Sequence, residues 1–382
     1  MGGWEGGYDA GMSWIIDEIN ARGGAVPFDA YMELALYHRE HGYYSSAEPR
    51  YGRGGDYLTA PTASEWYPRV IARLLSVAAG DLGKLRLVDM ASGDGSLIKG
   101  VLDALGSPAD AVLADVVSVE RSQSMRSIQS EEFSRVSTPV RWSTGSGDIE
   151  PTSNPTVVHA SELYDSQPVA RIVGRSGGLR EMWVTANGEV LEWQECKPRN
   201  AVAEYFSSHR VEIADGQIAE ANLGAEAKHR ELLGPAGADG LLLVLDYGYE
   251  AHRLYNPRGR RGGSLATFRR HEVGRNPLES PGQVDLTAHV NWDDLRRAAA
   301  REGWSEIGLV PLAEFLVRAG LADELDQRGF GMDAELDAET LTVRQEIKRL
   351  LDPEGMGSDL KMLVQAKGQM IDTARKALSI EF

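Results

Sequence analysis

The apolar run LRLVDM at 85–90 leads straight into Ala91-Ser92-Gly93-Asp94-Gly95-Ser96 and then into a helical pattern. A glycine-rich turn between a buried strand and a helix lets a ligand approach the backbone and aims unpaired helix N–H groups at it. Glu120 closes the next apolar run, 25 residues after Gly95. A carboxylate there can accept hydrogen bonds from both hydroxyls of a ribose. Dinucleotides and S-adenosyl-L-methionine are both bound on this plan. Dinucleotide turns favour G-x-G-x-x-G, whereas positions 91 and 98 here are Ala and Ile. Asp89, an acid on the strand just before the turn, suits the cationic methionine end of S-adenosyl-L-methionine better. Asp89, Ala91, Gly93, Gly95 and Glu120 are therefore read as a cofactor site for that molecule, against the alternative of a bare strand-to-helix turn.

Such a turn needs a sheet behind it. Short apolar runs at 85–90, 116–120, 155–160 and 241–247 read as strands, with amphipathic helices at about 95–105 and 122–134 between them. Strands alternating with helices predict an α/β fold with a parallel sheet. Residues 10–45 read as a small helical region, followed by an irregular Gly- and Tyr-rich loop from His41 to Pro61. Asn187-Gly188, set between MWVTA and EVLEW, predicts a two-residue hairpin. After 290 the pattern gives a helix, a strand near 305–310, a charged helical stretch to about 352 and a last strand near 359–366. The expected domains are 1–75 as a helical N-terminal region with a cofactor-covering loop, 76–169 with 236–382 as the main sheet domain, and 170–235 as an inserted substrate subdomain.

The 382-residue chain carries a net charge of −17. That balance argues against nucleic-acid backbone binding as the main task. Arginines crowd Arg253 to Arg275 with only Glu272 opposing them, read first as a solvated loop and second as a site for an anionic group. The apolar run within 240–245 is too short to span a membrane, and MGGWEGGYDAGMSW lacks the charge and hydropathy of a signal peptide. The expected location is the cytoplasm, with no membrane partner. The single cysteine, Cys196, and eight scattered histidines without ligand spacing predict no disulfide and no metal.

Further ordered blocks resemble one family, the MidA-like methyltransferases, from about residue 13 to 368. They include Tyr31-Met32, Ala35-Leu36-Tyr37, Gly42-Tyr43-Tyr44 and the run Gly55-Asp56-Tyr57-Leu58-Thr59-Ala60-Pro61. Val119-Glu120 with Gln129, Ser161-Glu162-Leu163-Tyr164-Asp165, Asp246-Tyr247-Gly248, the stretch from Gly263 to His271, and that from Pro281 to Val290 follow in order. Gly355-Met356-Gly357 and Lys367-Gly368 close the series. The resemblance implies a Rossmann-like class I methyltransferase sheet, S-adenosyl-L-methionine as cofactor, and a protein arginine as methyl acceptor. It adds Asp56, Thr59 and Ser161 to the cofactor residues. Tyr43, Tyr44 and Tyr57, together with Thr59, fall in the long early loop, where they either fold over the cofactor as a lid or pack onto a domain surface. The chain departs from the family at Ala91 and Ser92, where a glycine and a proline are usual, at Ser161 in place of Asn, and at Thr144 in place of a carboxylate near the adenine. Asp148 can substitute for that last group.

Arginine methylation needs a guanidinium whose proton can leave or whose charge can be localised, and paired carboxylates can hold and polarise the fork. Glu162 and Asp165, just after the 155–160 strand, are the expected clamp, with helix capping or cofactor binding as the plainer role of Glu162. His271 and His289 lie in family-like blocks, and a neutral imidazole could accept the proton. Hydrogen-bonded structural histidines are the commoner case. Asp285 and Thr287 read as turn and N-cap residues before a helix at 291. Two other functions stay open: methylation of a small molecule or biosynthetic peptide, and an assembly factor that keeps only the fold. The oligomeric state is left open, a homodimer included.

Overall fold

The computed structural model describes residues 12–45, 59–107, 109–134, 136, 138–269 and 272–378. They divide into two compact units.

The larger unit takes residues 59–165, Ala225–Glu250 and the chain from Val290 onward. Its sheet holds eight strands: β1 (Leu85–Met90), β2 (Leu113–Val119), β3 (Val140–Ser143), β4 (Thr156–Ser161), β5 (Gly240–Tyr249), β6 (Val290–Asn291), β7 (Ser305–Pro311) and β8 (Leu360–Lys367). They lie in the order β3-β2-β1-β4-β5-β8-β7, with β6 beside the end of β5. β1 to β5 pair in parallel, and β8 runs antiparallel to both its neighbours. A parallel sheet is covered on both faces, so its strands are buried on both and place apolar residues on each rather than alternating with solvent-facing ones. β1 makes the point residue by residue. Leu85 and Leu87 join one apolar cluster with Trp66, Ile71 and Ile98, while Val88 and Met90 join the other with Leu232, Trp292 and Leu295.

Five helices matter to the site: α1 (Trp66–Leu82), α2 (Ser96–Leu105), α3 (Gln123–Phe133), α4 (Ala225–Leu233) and α5 (Trp292–Arg301). α2 buries Leu97, Ile98, Val101, Leu102 and Leu105, one face at the helical period. Gly100 lets it approach α1 closely, since a Cβ there would lie 2.6 Å from Pro68. The strand order reverses between β1 and β4. The loops leaving those two strands therefore flank the crevice where open α/β sheets bind ligands.

The smaller unit collects residues 12–45, Ser166–Gly224 and Ala251–His289. A five-stranded antiparallel sheet (Ala25–Pro27, Ala170–Arg175, Gly178–Asn187, Val190–Cys196, Ile218–Ala221) and a three-stranded one (Ala266–Arg269, Glu272–Gly274, Asp285–Thr287) carry it. Arg199 ties the helix Phe28–Tyr37 to the larger of them, through Asp29 and the fully buried Glu181, at 2.7 Å each.

Several expectations shift. The helices Ala60–Ala63 and Trp66–Leu82 join the larger unit while Ser13–Ala21 and Phe28–Tyr37 join the smaller one, and α4 also joins the larger unit, where it packs on α5 instead of on the insertion. The hairpin forms with Asn187 paired to Val190, so its turn is Gly188-Glu189, one residue later than read, with Gly188 at φ +63°. Asp285 and Thr287 lie in a strand, and the N-cap of α5 is Asn291, which accepts from Asp293 N at 3.3 Å. β3 and a closing helix, Met370–Ala377, were not foreseen. The stretch before 352 is three helices, Leu312–Arg318, Leu321–Gln327 and Ala338–Leu350. Tyr43 is buried in a short helical turn and Tyr44 donates to Asp285 at 2.9 Å, so neither acts as a lid residue. Tyr57 lies outside the described residues.

Candidate functional site

β1 ends at Met90 and the chain turns through three left-handed residues, Ala91 (φ +54°), Gly93 (φ +56°) and Gly95 (φ +84°), into α2. Glycine adopts that region freely, and an L side chain does so at a cost. Gly95 is also sterically required, because a Cβ would meet the Phe133 ring at 2.7 Å. Ala91 is exposed, so its methyl is tolerated where a glycine was expected.

The turn is held from the next strand. Glu120 takes Gly93 N on one oxygen at 2.9 Å and Ser122 N on the other at 2.7 Å. Burial pushes its carboxyl above the ordinary range, and those two N–H bonds and the nearby Arg121 and Arg126 oppose the shift. Gln129 of α3 donates to Gly93 O at 2.6 Å and accepts from Ser118 at 2.7 Å and from the indole of Trp142 at 2.8 Å. Ser92 bonds Ser118 and, through its amide, Val119 O. Ser118 and Gln129 were not among the expected site residues. They are polar side chains within an apolar strand and an amphipathic helix.

Across the crevice, the turn after β4 is pinned differently. Glu162 sits at φ +49° and donates its N–H to Leu245 O at 2.8 Å. Asp246, wholly buried within β5, accepts Tyr164 N and Tyr247 N at 2.8 Å each, and the N–H groups of Leu163 and Asp165 also favour its charged form. Burial outweighs them and raises its carboxyl to about 7. The Tyr247 hydroxyl is held far from ionisation by burial first and then by Glu162, Asp165, Asp246 and Asp359. Glu162 and Asp165 thus share one negative field. Asp246 is the residue that sequence reasoning passed over as a site residue. Its signal was an acid closing the run LLLVLD.

A third buried group lies between the two turns. Asp89 and His159 face each other on β1 and β4, with Asp89 Oδ1 2.8 Å from His159 Nδ1 and His159 Nε2 2.8 Å from the Tyr67 hydroxyl.

The remaining expected residues separate. Ser161 Oγ is buried at the end of β4 and makes no hydrogen bond among the described residues. Asp148 is exposed on the turn Ser146–Asp148 and accepts from Thr144 Oγ1 at 3.4 Å. Thr59 caps the short helix Ala60–Ala63 in a reciprocal pair with Thr62, a structural role. Asp56 and His271 lie outside the described residues. His289 belongs to the smaller unit, where its Nδ1 accepts from Arg260 at 3.0 Å and its N–H donates to Ser264. A ring nitrogen already holding a guanidinium N–H is not a free base, which corrects the proton-accepting role. Two more arginines of the 253–275 segment, Arg261 and Arg269, bond Asp215 O and Gln283 within the same unit. That matches the plainer reading of the segment.

The donors and acceptors fit a nucleoside with a cationic amino-acid tail: a Cβ-free cradle at Gly95, a carboxylate at Glu120, an unbonded hydroxyl at Ser161 and an acid at Asp89. Comparison with known proteins agrees. Residues 70–310 match the family described as S-adenosyl-L-methionine-dependent methyltransferase. The mitochondrial protein arginine methyltransferase NDUFAF7 of Danio rerio is 25% identical over 399 residues, covering 93% of this chain and 85% of its own. Its Homo sapiens counterpart is 27% identical over 335 residues, covering 78% and 70%. A crystal structure from Burkholderia thailandensis, bound to S-adenosyl-homocysteine, is similar with a TM-score of 0.82 at 27% identity, covering 94% of this chain and 92% of that one.

Proposed function

The chain belongs to this S-adenosyl-L-methionine-dependent methyltransferase family, and from that premise we propose that it methylates a protein side chain, namely arginine. The observation that carries the proposal is the pair Glu162 and Asp165 on a turn anchored by buried Asp246, at the crevice where the strand order reverses. The arginine activity printed for the zebrafish and human relatives supports the same acceptor.

When bound, S-adenosyl-L-methionine supplies an electrophilic methyl on a sulfonium centre. Aligning an acceptor with such a centre is mainly a matter of position, which can contribute roughly 7–11 kcal/mol. Glu120 and Ser161 would take the nucleoside hydroxyls, Asp89 the cationic tail, and Asp148 the base. Glu162 and Asp165 would accept the N–H groups of the guanidinium fork, localise its charge and receive the proton it sheds. Asp246 acts through the backbone and keeps both carboxylates in place. The acid at Glu162 holds a left-handed conformation that costs about 1–3 kcal/mol in a non-glycine residue, and such strain concentrates at functional turns.

The test uses methyl-labelled cofactor with purified protein and host extract. Label in a protein band that hydrolyses to methylarginine, and its loss with Glu162→Gln, is the expected result. Label confined to small molecules or peptides would make this a biosynthetic enzyme and remove the clamp. Binding of cofactor with no transfer to any fraction would leave a binding factor on the same fold.

A further inference from the structure

Asp89 and His159 meet in register on β1 and β4, between apolar residues of both strands and away from the polar pair Arg86 and Thr156 at the strands' start. Their neighbours Val88, Met90, Val158 and Ala160 are buried and aliphatic or thioether, and packing alone would be served by the same kind of side chain at both positions. Asp89, His159 and Tyr67 are 3%, 1% and 0% exposed, so three polar groups are taken out of water together. A buried polar pair of this kind is weak support for stability, because apolar residues of equal volume serve as well or better. Another reason for keeping it has to be found in what it does.

The geometry sets the protonation. A carboxylate accepts only, so His159 Nδ1 carries the proton toward Asp89 Oδ1, and Nε2 then accepts from the Tyr67 hydroxyl. The carboxylate thus sets the tautomer, the Tyr67 hydroxyl supports it by donating to Nε2, and the Nδ1–H fixes one oxygen of Asp89. Among the described residues the hydrogen bond to the Asp89 carboxylate falls on Oδ1, from His159. Burial works against the charge on Asp89, and the hydrogen bond from His159 is the first influence that opposes it. The chain begins one residue before Met90, at the start of the Ala91–Gly95 turn, and its histidine stands three residues before Glu162.

We propose that Tyr67 and His159 are positioning residues that hold Asp89 ionised and oriented toward the cationic methionine end of the cofactor. The inference rests on the reading of the Ala91–Gly95 turn as the cofactor loop. The bonds that Tyr67 and His159 make run toward Asp89, so the effect on the cofactor is expected to pass through Asp89.

Binding by calorimetry of two probes separates this from a packing role. S-adenosyl-homocysteine has the amino-acid tail, and methylthioadenosine has the same nucleoside without it. Tyr67→Phe, which removes one hydroxyl and preserves the ring, should weaken S-adenosyl-homocysteine about tenfold, near 1.4 kcal/mol, and leave methylthioadenosine within about twofold. Asp89→Asn should show the same selectivity with a larger loss. His159→Leu should resemble Asp89→Asn, and His159→Asn, which restores a donor beside Asp89, should recover most of the binding. Equal losses for both probes, or no change in either at an unchanged melting temperature, would overturn the inference. If His159→Leu does not fold, Tyr67→Phe and His159→Asn still decide. Wild-type protein that binds neither probe would overturn the cofactor-loop reading, and this inference with it.

Discussion

The two turns that flank the crevice are built alike and used differently. Each leaves a central parallel strand, each contains a non-glycine residue in the left-handed region (Ala91, Glu162), and each is held by an acid toward the carboxyl end of the strand on its outer side. Glu120 on β2 braces the turn after β1, and Asp246 on β5 braces the turn after β4. The difference lies in what each turn presents. The first turn is nearly all backbone and small side chains, and its bracing acid, Glu120, is the residue proposed to hold the ribose. The second turn is pinned by an acid with no exposure at all and carries Glu162 and Asp165, the carboxylates of the proposed clamp. On the proposed function, Glu120 is ligand and brace at once and the deeper Asp246 is brace only.

Glu162→Gln tests the second turn most severely. Turnover should fall at least about 100-fold with cofactor affinity nearly unchanged, and steady-state kinetics alongside calorimetry would show whether the two separate. Unchanged turnover would sink the clamp. Asp246→Ala should follow, costing about 3 kcal/mol because several buried N–H groups lose their acceptor, measured by urea denaturation. A smaller loss would mean that the turn is held mainly by Leu245 O.

Asp246 also predicts a pH effect. Burial raises its carboxyl to about 7 from 3.8, so the folded state binds the proton more tightly than the unfolded state. The stability this contributes is complete below the unfolded value and is lost as pH rises through about 7. Melting temperatures from pH 5.5 to 8.5 should decline for the wild type and flatten for Asp246→Asn, and parallel curves would contradict the assignment.

In the first turn, Gly95→Ala should cost about 2 kcal/mol from the left-handed backbone and the Phe133 contact, whereas Gly147→Ala, with open space around it, should be within about 0.5 kcal/mol. Equal melting temperatures for the two variants would refute the steric argument. The smallest effect belongs to Glu120→Ala, which should weaken cofactor binding about tenfold without abolishing it. Unaltered affinity would leave Glu120 as a brace only, and the contrast between the turns would then vanish.

Much of this was legible in the residues. β1 was read at its observed bounds, and α2, β4 and β5 within about two residues, because a buried strand and an amphipathic helix write their periods locally. The glycine turn was legible for the same reason, since a left-handed backbone restricts which residues serve there. Thr59 and His289 were misjudged because a residue's type does not reveal its partner: Thr62 bonds one and Arg260 the other. Asp285 read as a turn residue because acids favour turns, yet its carboxylate accepts from Tyr44, far off in sequence.

The sequence by itself determined the periods, the tight turn after β1 and the acids that close the apolar runs of β2 and β5. Those are properties of neighbouring residues and of a backbone that must satisfy its own hydrogen bonds. Only the tertiary structure decided which acid meets which turn. Glu120 reaches Gly93 across 27 positions, Asp246 reaches Tyr164 across 82, and His159 joins Asp89 across 70. Such pairings depend on the order in which strands lie side by side, and that order is set by burying helices on both faces of one sheet, a condition on the whole chain that no local segment carries.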